Sequence, residues 1–512
     1  MSDLHALPRV LISAAHKSSG KTTLSLGLCA ALRAQGTVVQ PFKKGPDYID
    51  PMWLGRAAGR PCYNLDPHLM SADEIRALVL SRCVAGGGDL ALIEGNKGLF
   101  DGLALDGSNS NAALAHQLAA PVVLVIDARG MTRGIAPLLL GYQAFDPALA
   151  LRGVILNRVG GSRHESKLRA VIEHYTDMQV LGAVPEDPRL AMTERHLGLV
   201  PGNEAEEADA VIARIAHGVA ASVDLAALLA LARKAVDVAP NAPAWSWSGL
   251  IQAAETAPAT KLRRDLRIGV AMDRAFGFYY PDDAEALQAL GAELVPFDTV
   301  NDTNLPPRLD GLFIGGGFPE TSAHALAANA GLRSQIRQAI EAGLPTYAEC
   351  GGLMYLARGL SVDGQRHPMV GVIPGEVEMH ARPVGRGYVA LEASADHPWG
   401  VPQGTAVRAH EFHYSSLHLA GPGPTLEHPV RFAWRMRRGH GIDGQQDGLV
   451  IHNLLASYSH LRRVGGCDWP LHFIAKVQQV RDERARAELL GPSLFSHSAS
   501  LASLVSLEGA LS

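Results

Sequence analysis

The sequence predicts an α/β protein with two domains, the first of them a doubly wound parallel sheet covered by helices. Short runs of β-branched and apolar residues alternate with longer helical stretches through about residue 235, and a second α/β series starts near residue 264. These runs are apolar on both faces, which is typical of parallel strands buried between two helical layers. The length of 512 residues also favours more than one domain.

The individual elements follow in chain order. In the first half, strands are expected at 9–13, 37–40, 90–93, 122–126 and 153–156, with a helix from Thr22 to Ala34. In the second half, strands are expected at 267–271, 312–314 and 346–348, then short strands and turns at 369–457 and a helix at 470–490. This alternation is the pattern of α/β units.

Composition places the domain boundaries. Residues 239–263 contain Pro240, Pro243, Pro258 and many alanines, which is typical of a linker. We therefore predict an N-terminal domain over 1–238 and a C-terminal domain over 264–490. Residues 491–512 are rich in Ser, Ala and Leu, and are expected to be a frayed tail, with an amphipathic helix as the alternative.

Charge and cysteine content exclude several classes of protein. The 46 basic and 51 acidic residues give a net charge of −5, which argues against a broad electrostatic surface for nucleic acid. The five cysteines are too scattered for a disulfide framework or a metal-ligand spacing. No apolar run reaches the roughly 20 residues of a membrane helix, and the N-terminus lacks a signal peptide. The sequence thus predicts a cytoplasmic protein without nucleic-acid or membrane partners.

The strongest motif is a phosphate-binding loop between a strand and a helix, Ala15-His-Lys-Ser-Ser-Gly-Lys-Thr-Thr23. In such a loop, backbone N–H groups and the helix N-terminus hold phosphate oxygens. Lys21 would reach the β- and γ-phosphates, and the Thr22 hydroxyl would bind Mg²⁺. The motif departs from the usual pattern because Ala15 replaces the first glycine.

Acidic and basic residues follow the predicted strands of the same half. Asp47 and Glu94 are candidate Mg²⁺ ligands, because ligands gather at the C-terminal ends of parallel strands and Mg²⁺ prefers carboxylate oxygens. Lys43, Lys44 and Lys97 would hold an anionic substrate or stabilise a phosphoryl group in transfer. Asp127 is either a further acid of this site or a turn residue.

The second motif predicts a reactive thiol. In Thr346-Tyr-Ala-Glu-Cys-Gly-Gly-Leu-Met354, an apolar strand runs into Cys350, and two glycines follow before a helical run. A sharp turn of this kind exposes a nucleophile next to a helix N-terminus. The glycines of Gly315-Gly-Gly-Phe-Pro-Glu320 would supply an oxyanion hole through their N–H groups. The residues themselves leave the base open among four histidines: His410, His413, His452 and His460.

Taken together, these motifs identify a family. The chain from about Val10 to about Leu490 resembles the cobyrinate a,c-diamide synthases, glutamine-dependent amidotransferases of tetrapyrrole biosynthesis. Besides the loop and the thiol motif, the resemblance rests on segments at 45–51, 64–66, 94–102, 315–320, 410–415 and 456–460. It implies a dethiobiotin-synthetase-like P-loop fold in the N-terminal half and a class I glutamine amidotransferase fold in the C-terminal half.

The resemblance also implies roles for individual residues. Cys350 is the nucleophile and His460 its base. The Glu that usually stands two residues after this His is absent, because Arg462 is there, so a Cys–His pair is expected. The remaining implied sites are ATP binding by Ser19, Gly20, Lys21, Thr22, Thr23, Lys43 and Asn157 (Asn157 on the adenine), Mg²⁺ binding by Thr22, Asp47 and Glu94, an oxyanion hole at Gly316 and Gly317, and acceptor binding by Asn96, Lys97 and Asp101.

The implied reaction uses ATP, Mg²⁺, glutamine and an anionic tetrapyrrole, and a homodimer is possible. Cys350 releases ammonia through a thioester, and the ammonia converts an acyl phosphate on the a and c acetate groups to the amide. Asn96 and Lys97 depart from the small or apolar residues usual in the family, so sirohydrochlorin or sirohaem is an alternative acceptor. Two alternatives of other classes are a P-loop switch ATPase, suggested by Lys17, and a regulator with an inactive amidotransferase domain.

Overall fold

The computed structural model describes residues 7–192, 194–195, 198–204, 207–235, 265–419 and 430–490. The predicted linker and the predicted tail lie outside these residues, so the domain boundaries stay a prediction. The chain forms two compact units. Of the described residues, the first unit contains those up to residue 235 together with two later segments, Gly277–Glu285 and Arg462–Cys467, and the second unit contains the others.

The first unit contains a seven-stranded parallel sheet, which confirms the predicted α/β class. Its strand order is β3-β2-β4-β1-β5-β6-β7. The strands are β1 (Arg9–Ala14), β2 (Val39–Lys44), β3 (Tyr63–Leu65), β4 (Leu90–Glu94), β5 (Val122–Asp127), β6 (Leu151–Val159) and β7 (Gln179–Pro185), and a separate pair is formed by β8 (Glu194–Arg195) and β9 (Gly198–Leu199).

Helices connect the strands of the first sheet. They are α1 (Lys21–Ala34), α2 (Ile49–Ala58), α3 (Ala72–Leu80), α4 (Asn111–Leu118), α5 (Ile135–Phe145), α6 (Ser162–Tyr175), α7 (Ala208–Ser222) and α8 (Leu225–Ala232), with a π-helical turn at Ser81–Ala85 and a 3₁₀ turn at Pro188–Leu190. The apolar face of α1 packs with α7, α8 and the sheet in one core. All of the predicted strands of this half are present.

One strand differs from its prediction. β2 continues through Pro41 to Lys44, whereas the sequence predicted a strand that ends at residue 40. Proline lacks the N–H that a central strand needs. The structure accommodates Pro41 because β3 begins to pair only at Phe42, so β4 alone flanks the strand at Pro41. The extension places Lys43 and Lys44 at the C-terminal end of β2.

The second unit contains a nine-stranded mixed sheet of order β12-β10-β13-β15-β24-β23-β22-β19-β20, parallel from β12 to β24 and antiparallel beyond. A four-stranded sheet has the order β17-β16-β18-β21. The strands in the second half of the chain are β10 (Leu266–Ala271), β11 (Phe276–Phe278), β12 (Ala292–Phe297), β13 (Gly311–Ile314), β14 (Gly316–Gly317), β15 (Thr346–Glu349), β16 (Ala357–Val362), β17 (Gln365–Pro368), β18 (Ile373–Met379), β19 (Gly385–Ala393), β20 (Ala406–His413), β21 (Ser415–Leu419), β22 (Arg431–Arg438), β23 (Gln446–Ile451) and β24 (Leu454–Ser457).

Further helices are found among the described residues of the second half. They are α9 (Pro281–Ala289), α10 (Ala323–Ala328), α11 (Ala330–Glu341), α12 (Gly351–Leu356) and α13 (Trp469–Leu490), and Pro319–Ser322 forms a 3₁₀ turn. Leu332, Ile336 and Ile340 recur on one face of α11 and are wholly buried in the core of this unit. None of the helices described is both long and apolar enough to cross a membrane. All five cysteines are buried free thiols.

A buried carboxylate shapes the end of β24. Asp447 is fully buried and accepts hydrogen bonds from the main-chain N–H groups of Gly448, Tyr458 and Ser459, at 2.9, 3.0 and 2.9 Å. A buried N–H group without a partner is costly, so these three bonds determine how the chain leaves the strand. The segment that they hold continues directly into His460.

We predict that Asp447→Asn destabilises the second unit. The amide nitrogen of Asn cannot accept a hydrogen bond, so one buried N–H group loses its partner, at a cost of about 1–3 kcal/mol. Thermal unfolding of the full chain should show a lower transition temperature. Asp443→Asn is the matched control, because exposed Asp443 accepts from Gln445 and Gln446 in a turn where Asn serves equally well. Equal stability of both variants would contradict the prediction.

Candidate functional site

The phosphate-binding loop lies between β1 and α1, as predicted. Gly20 has φ +90°, and a Cβ at this position would lie 2.1 Å from Nδ2 of Asn157, so only glycine fits. Asn157, at the end of β6, donates from Nδ2 to the main-chain oxygen of Ser19 at 2.9 Å. Thr23 lies in the first turn of α1. The structure thus brings Asn157 to the loop, while its contact with adenine stays a prediction.

Lys21 begins α1 and is buried, with only 8% of its surface exposed. Its ammonium group donates to the main-chain oxygen of Lys97. Burial lowers the pKa of Lys21 to about 8, although the carboxylate of Glu94 acts in the opposite direction. A triphosphate bound at this helix N-terminus would supply the negative charge that a buried ammonium needs.

A cluster of charged side chains surrounds Lys43 in the first unit. Its Nζ lies 2.5 Å from Oδ2 of Asp50, 2.7 Å from Oε1 of Glu94 and 3.8 Å from Oδ2 of Asp47. The Thr22 hydroxyl donates to the same oxygen of Glu94 at 2.8 Å, and its oxygen lies 3.3 Å from Oδ2 of Asp50. Burial lowers the pKa of Lys43, but the carboxylates outweigh it and raise that pKa well above its usual value.

This cluster contains the predicted magnesium ligands and one residue that the prediction missed. Thr22, Asp47 and Glu94 lie together as expected, and Asp50 joins them through Lys43 and Thr22. Asp50 belongs to the motif at 45–51, three residues after Asp47, at the start of α2. An acidic residue at this spacing on a helix N-terminus was a signal that could have identified it.

The cluster fits a magnesium ion bound with a nucleotide. The second carboxylate oxygen of Glu94, Oε2, is buried and has no hydrogen-bond partner among the described residues. Those residues contain no group of three or more His, Cys, Asp and Glu side chains arranged to hold a metal ion by themselves. A magnesium ion here would therefore take ligands from Thr22, from the carboxylates and from phosphate oxygens.

The predicted acceptor-binding residues all lie in the loop after β4. The side-chain oxygen of Asn96 accepts from Lys44 at 3.1 Å, and Asp101 accepts from the N–H of Gly98 at 2.8 Å. Lys97 has a positive φ of 44°, and its side chain is exposed. The described contacts of these residues shape the loop, so acceptor binding by Asn96, Lys97 and Asp101 stays a prediction.

A buried asparagine that the sequence analysis missed holds this loop. Asn111, at the start of α4, donates from Nδ2 to the oxygens of Asn96 and Gly98 and to the hydroxyl of Ser13, at 2.6, 2.9 and 3.0 Å. It also accepts from the N–H of Asn96 at 3.1 Å. No pattern in the sequence marked Asn111, because its partners are distant in the chain.

Asp127 is an ion-pair residue beside the phosphate-binding loop. It pairs with Arg129 at 2.7 Å and with Arg158 at 2.6 Å, and Arg158 also donates to the main-chain oxygen of Ser18 at 3.1 Å. Burial raises the pKa of Asp127, but the two arginines outweigh it and lower the pKa to about 2. Asp127 therefore pairs with arginines beside the phosphate-binding loop and is not part of the Lys43 cluster.

In the second unit, Cys350 occupies a sharp turn between β15 and α12, as predicted. Its φ of 47° is unfavourable for a residue with a side chain, and its N–H donates to the main-chain oxygen of Ser457 at 2.7 Å. A Cβ on Gly351 would lie 3.0 Å from the nitrogen of Gly317, and one on Gly352 would lie 2.1 Å from the oxygen of Ile314. Glycine at both positions lets the turn approach β13 and β14.

Gly316 and Gly317, the predicted oxyanion hole, form β14 next to this turn. Both glycines are buried. The close approach of Gly317 to Gly351 places an N–H-bearing backbone beside the nucleophile, which is what an oxyanion hole requires. The structure brings these residues together, and their role in binding a developing oxyanion stays a prediction.

His460 lies at Cys350, and a carboxylate completes the set. The His460 side chain hydrogen-bonds Cys350, and its Nδ1 lies 3.4 Å from Oε2 of Glu349. Oε1 of Glu349 accepts from the N–H of Leu461 at 2.9 Å and from the hydroxyl of Tyr347. The sequence analysis expected a Cys–His pair, so Glu349, the residue before the nucleophile, is a site residue that it missed.

The surroundings of His460 favour its charged form. Burial by itself lowers the pKa of an imidazole, but the hydrogen bonds to Cys350 and Glu349 outweigh it and raise the pKa of His460 to about 10. An imidazolium is therefore retained through neutral pH. A cationic imidazole beside a thiol stabilises the thiolate, which is the nucleophilic form.

The other candidate histidines are placed differently. His410 stacks on His460 with ring centroids 4.9 Å apart, and His413 stacks on Tyr458 at 3.8 Å. His452 is exposed in the turn between β23 and β24. His460 is the one of these four histidines that the structure shows in a hydrogen bond with Cys350, and its role as the base stays a prediction.

We predict that Glu349→Gln shifts the pH profile of Cys350 alkylation. Removing the carboxylate lowers the pKa of His460 from about 10, so its imidazolium is lost at lower pH. Carbamidomethylation by iodoacetamide, measured by mass spectrometry across pH 7 to 11, should therefore show its upper transition about one pH unit lower than in the unchanged protein.

The pH dependence of the free energy of unfolding is a second measurement. Because the pKa of His460 is raised on folding, its stabilising contribution is complete below pH about 6.5 and is lost as pH rises through about 10. In Glu349→Gln this loss should occur at lower pH. Glu341→Gln is the control, since Glu341 pairs with Arg337 on the surface of α11. An unchanged alkylation profile in Glu349→Gln would contradict the assignment.

Comparison with known proteins assigns a family to each half of the chain. Residues 267–463 match the family described as CobB/CobQ-like glutamine amidotransferase domain, and residues 8–194 match a family described as AAA domain. A Thermotoga maritima structure entitled "Structure of PurLQS" has a TM-score of 0.33 and 16% identity, covering 42% of this chain and 99% of that chain.

Full-length relatives are more similar. A protein of Magnetococcus marinus named cobyrinate a,c-diamide synthase is 44% identical over 479 residues, which cover 93% of this chain and 98% of the relative. A protein of Methanosarcina acetivorans with the same name is 41% identical, with coverage of 94% and 97%. The resemblance drawn from the motifs is therefore confirmed, and the chain belongs to the cobyrinate a,c-diamide synthase family, whose members are glutamine-dependent ligases that form C–N bonds.

Proposed function

We propose that this protein uses glutamine and ATP to amidate the a and c acetate carboxylates of a cobyrinate-type tetrapyrrole. The observation that carries the proposal is the buried set of Cys350, His460 and Glu349, which supplies the nucleophile, base and orienting carboxylate of a glutaminase. The names of the relatives support the acceptor, and the Lys43 cluster supports the ATP-dependent step.

In the glutaminase reaction, Cys350 attacks the side-chain amide of glutamine. The N–H groups of Gly316 and Gly317 stabilise the developing oxyanion, and His460 gives a proton to the departing ammonia. The resulting thioester is hydrolysed with His460 as the base. Glu349 keeps the imidazole oriented toward the thiol through its contact with Nδ1.

In the amidation reaction, an acceptor carboxylate attacks the γ-phosphorus of ATP, the bond to the β,γ-bridging oxygen breaks, and an acyl phosphate and ADP are formed. Lys21 and Lys43 are placed to neutralise charge on the transferring phosphoryl group. Thr22, Asp47, Asp50 and Glu94 would hold Mg²⁺, which, when bound, polarises phosphate oxygens. Ammonia then displaces phosphate to give the amide.

The acceptor within the tetrapyrrole class is the finer part of this proposal. The relatives named above favour cobyrinate. Sirohydrochlorin and sirohaem are kept as alternatives because Asn96 and Lys97 are unusual in this loop. Reactions with ¹⁵N-amide glutamine, ATP, Mg²⁺ and one macrocycle at a time distinguish them, since mass spectrometry shows which product carries the label. Label in cobyrinate alone supports the proposal, whereas label only in a sirohaem-type product overturns the acceptor.

A switch ATPase is the alternative from another class. Lys17 in the phosphate-binding loop is the feature that suggested it. The Cys350–His460–Glu349 set argues against it and against an inactive amidotransferase domain. ATP turnover without label in any acceptor would favour the switch ATPase. A cytoplasmic location and a homodimer stay predictions.

We predict that Cys350→Ala and Lys21→Ala separate the two half-reactions. Cys350→Ala should abolish glutamine-driven amidation and leave ammonia-driven amidation intact, because ammonia bypasses the thioester. Lys21→Ala should abolish both, because each needs the acyl phosphate. Labelled product is measured by mass spectrometry with either nitrogen source. Loss of ammonia-driven amidation in Cys350→Ala, or retained amidation in Lys21→Ala, would refute this scheme.

We predict that Asp50→Asn weakens the response to magnesium. Asp50 lies 2.5 Å from Lys43 and 3.3 Å from the Thr22 hydroxyl, so its charge supports the metal-binding end of the cluster. The Mg²⁺ concentration for half-maximal ammonia-driven amidation should rise by about tenfold. Asp73→Asn is the control, because Asp73 pairs only with Arg76 in its described contacts and lies on α3. Equal magnesium dependence in both variants would exclude Asp50 from the site.

A further inference from the structure

Arg462 is the most completely enclosed arginine of the segment that follows His460. Only 1% of its surface is exposed, and its ion-pair partner Asp282 is fully buried, with Nη2 and Nε of Arg462 at 2.8 and 3.2 Å from Oδ2. Arg462 and all of its partners named below belong to the first unit. The segment Arg462–Cys467 therefore packs with the phosphate-binding half, although it directly follows the histidine of the glutaminase set.

The first arm of this network runs through Asn64. Nη2 of Arg462 donates to the main-chain oxygen of Asn64 at 2.7 Å. The side-chain nitrogen of Asn64 in turn donates to the main-chain oxygens of Gly45 and Asp47, both at 2.7 Å. Arg462 thus holds the loop that carries Asp47 indirectly, through Asn64.

The second arm runs through Tyr280. The guanidinium carbon of Arg462 lies 4.8 Å from the centroid of the Tyr280 ring, which is a cation–π contact. Tyr280 packs on Tyr48 with ring centroids 4.6 Å apart. Tyr48 follows Asp47 in the chain, so both arms converge on residues 45–48.

Arg462 lies two residues after His460 in the sequence. In the class of amidotransferases that the second unit resembles, a Glu two residues after the catalytic His completes the glutaminase set. Here Glu349 contacts Nδ1 of His460 instead. Arg462 therefore has no part in the glutaminase reaction, and its side chain contacts residues of the first unit.

We propose that Arg462 is a positioning residue for the amidation reaction, which holds the loop 45–48 and with it Asp47 through Asn64 and Tyr280. The proposal rests on the proposed function. It assigns no contact between Arg462 and substrate. Lysine cannot replace it, because a single ammonium group does not reproduce the planar fork that reaches Asp282 and Asn64 together.

The test compares Arg462→Lys with the unchanged protein in two assays. The first is ammonia-driven amidation, whose kcat we expect to fall by about tenfold or more because a displaced site residue slows the reaction. The second is labelling of Cys350 by the glutamine analogue 6-diazo-5-oxo-norleucine, whose rate we expect to stay within about twofold. A general loss of folding would lower both, so the split between them identifies positioning.

Arg333→Lys is the matched control. Arg333 is a partly buried arginine of the second unit that donates to the main-chain oxygens of Met369 and Ala327, both at 2.7 Å. We expect it to leave the ratio of the two rates unchanged. A parallel fall of both rates in Arg462→Lys, a fall of Cys350 labelling alone, or no change in either would overturn the proposal.

A further readout separates this proposal from the proposed function. If the unchanged protein amidates none of the macrocycles, the proposed function fails, and the loop is then assessed by calorimetric binding of a non-hydrolysable ATP analogue with and without Mg²⁺. Arg462→Lys should reduce the affinity gained from Mg²⁺ by about tenfold, because Asp47 is displaced. An unchanged gain from Mg²⁺ in Arg462→Lys would overturn the role of Arg462 independently.

Discussion

The phosphate end of the first unit depends on the ammonium group of Lys43, which is buried among three carboxylates. Lys43 and Glu94 are register partners on the neighbouring parallel strands β2 and β4, so the ladder itself brings their side chains together. Buried carboxylates without a counter-charge would cost several kcal/mol each, or would take up protons. Burial raises the pKa of Asp50, but the ammonium group of Lys43 outweighs burial and lowers it. The carboxylates of Asp50 and Glu94 both lie within reach of the Thr22 hydroxyl.

The second unit holds Cys350, the proposed nucleophile, in a strained turn where its side chain is buried. Cys350 adopts a positive φ, and the structure maintains it through the bond from its N–H to Ser457 and through the close approach of Gly352 to Ile314. Strain of this kind persists only where the surroundings determine the backbone fully. Asp447 contributes to the same end by holding the N–H groups of Tyr458 and Ser459 just before His460.

The sequence predicted the fold class, several of the parallel strands and the sharp turn that carries Cys350, because each depends on local patterns such as apolar runs, glycines and the phosphate-binding motif. It did not predict Glu349, Asp50 or Asn111 as site residues. Their roles depend on which distant groups the sheets bring beside them: His460 for Glu349, Lys43 for Asp50, and the loop at 96–98 for Asn111. Glu349 and Asp50 stood inside recognised motifs, whereas Asn111 had no local signal.

The contact between Glu349 and His460 follows from a single strand register. Glu349 pairs with Ser457 across the parallel ladder of β15 and β24, so the residue before the nucleophile lies beside the segment that leads to the histidine. Side chains alternate between the two faces of a sheet, so a shift of one residue in this register would turn Glu349 to the opposite face. Glu349 lies on the same strand as the turn to Cys350. The contact between Glu349 and His460 therefore depends on the pairing of β15 with β24, and not on the residues after His460. That dependence leaves position 462 available for the buried pair with Asp282.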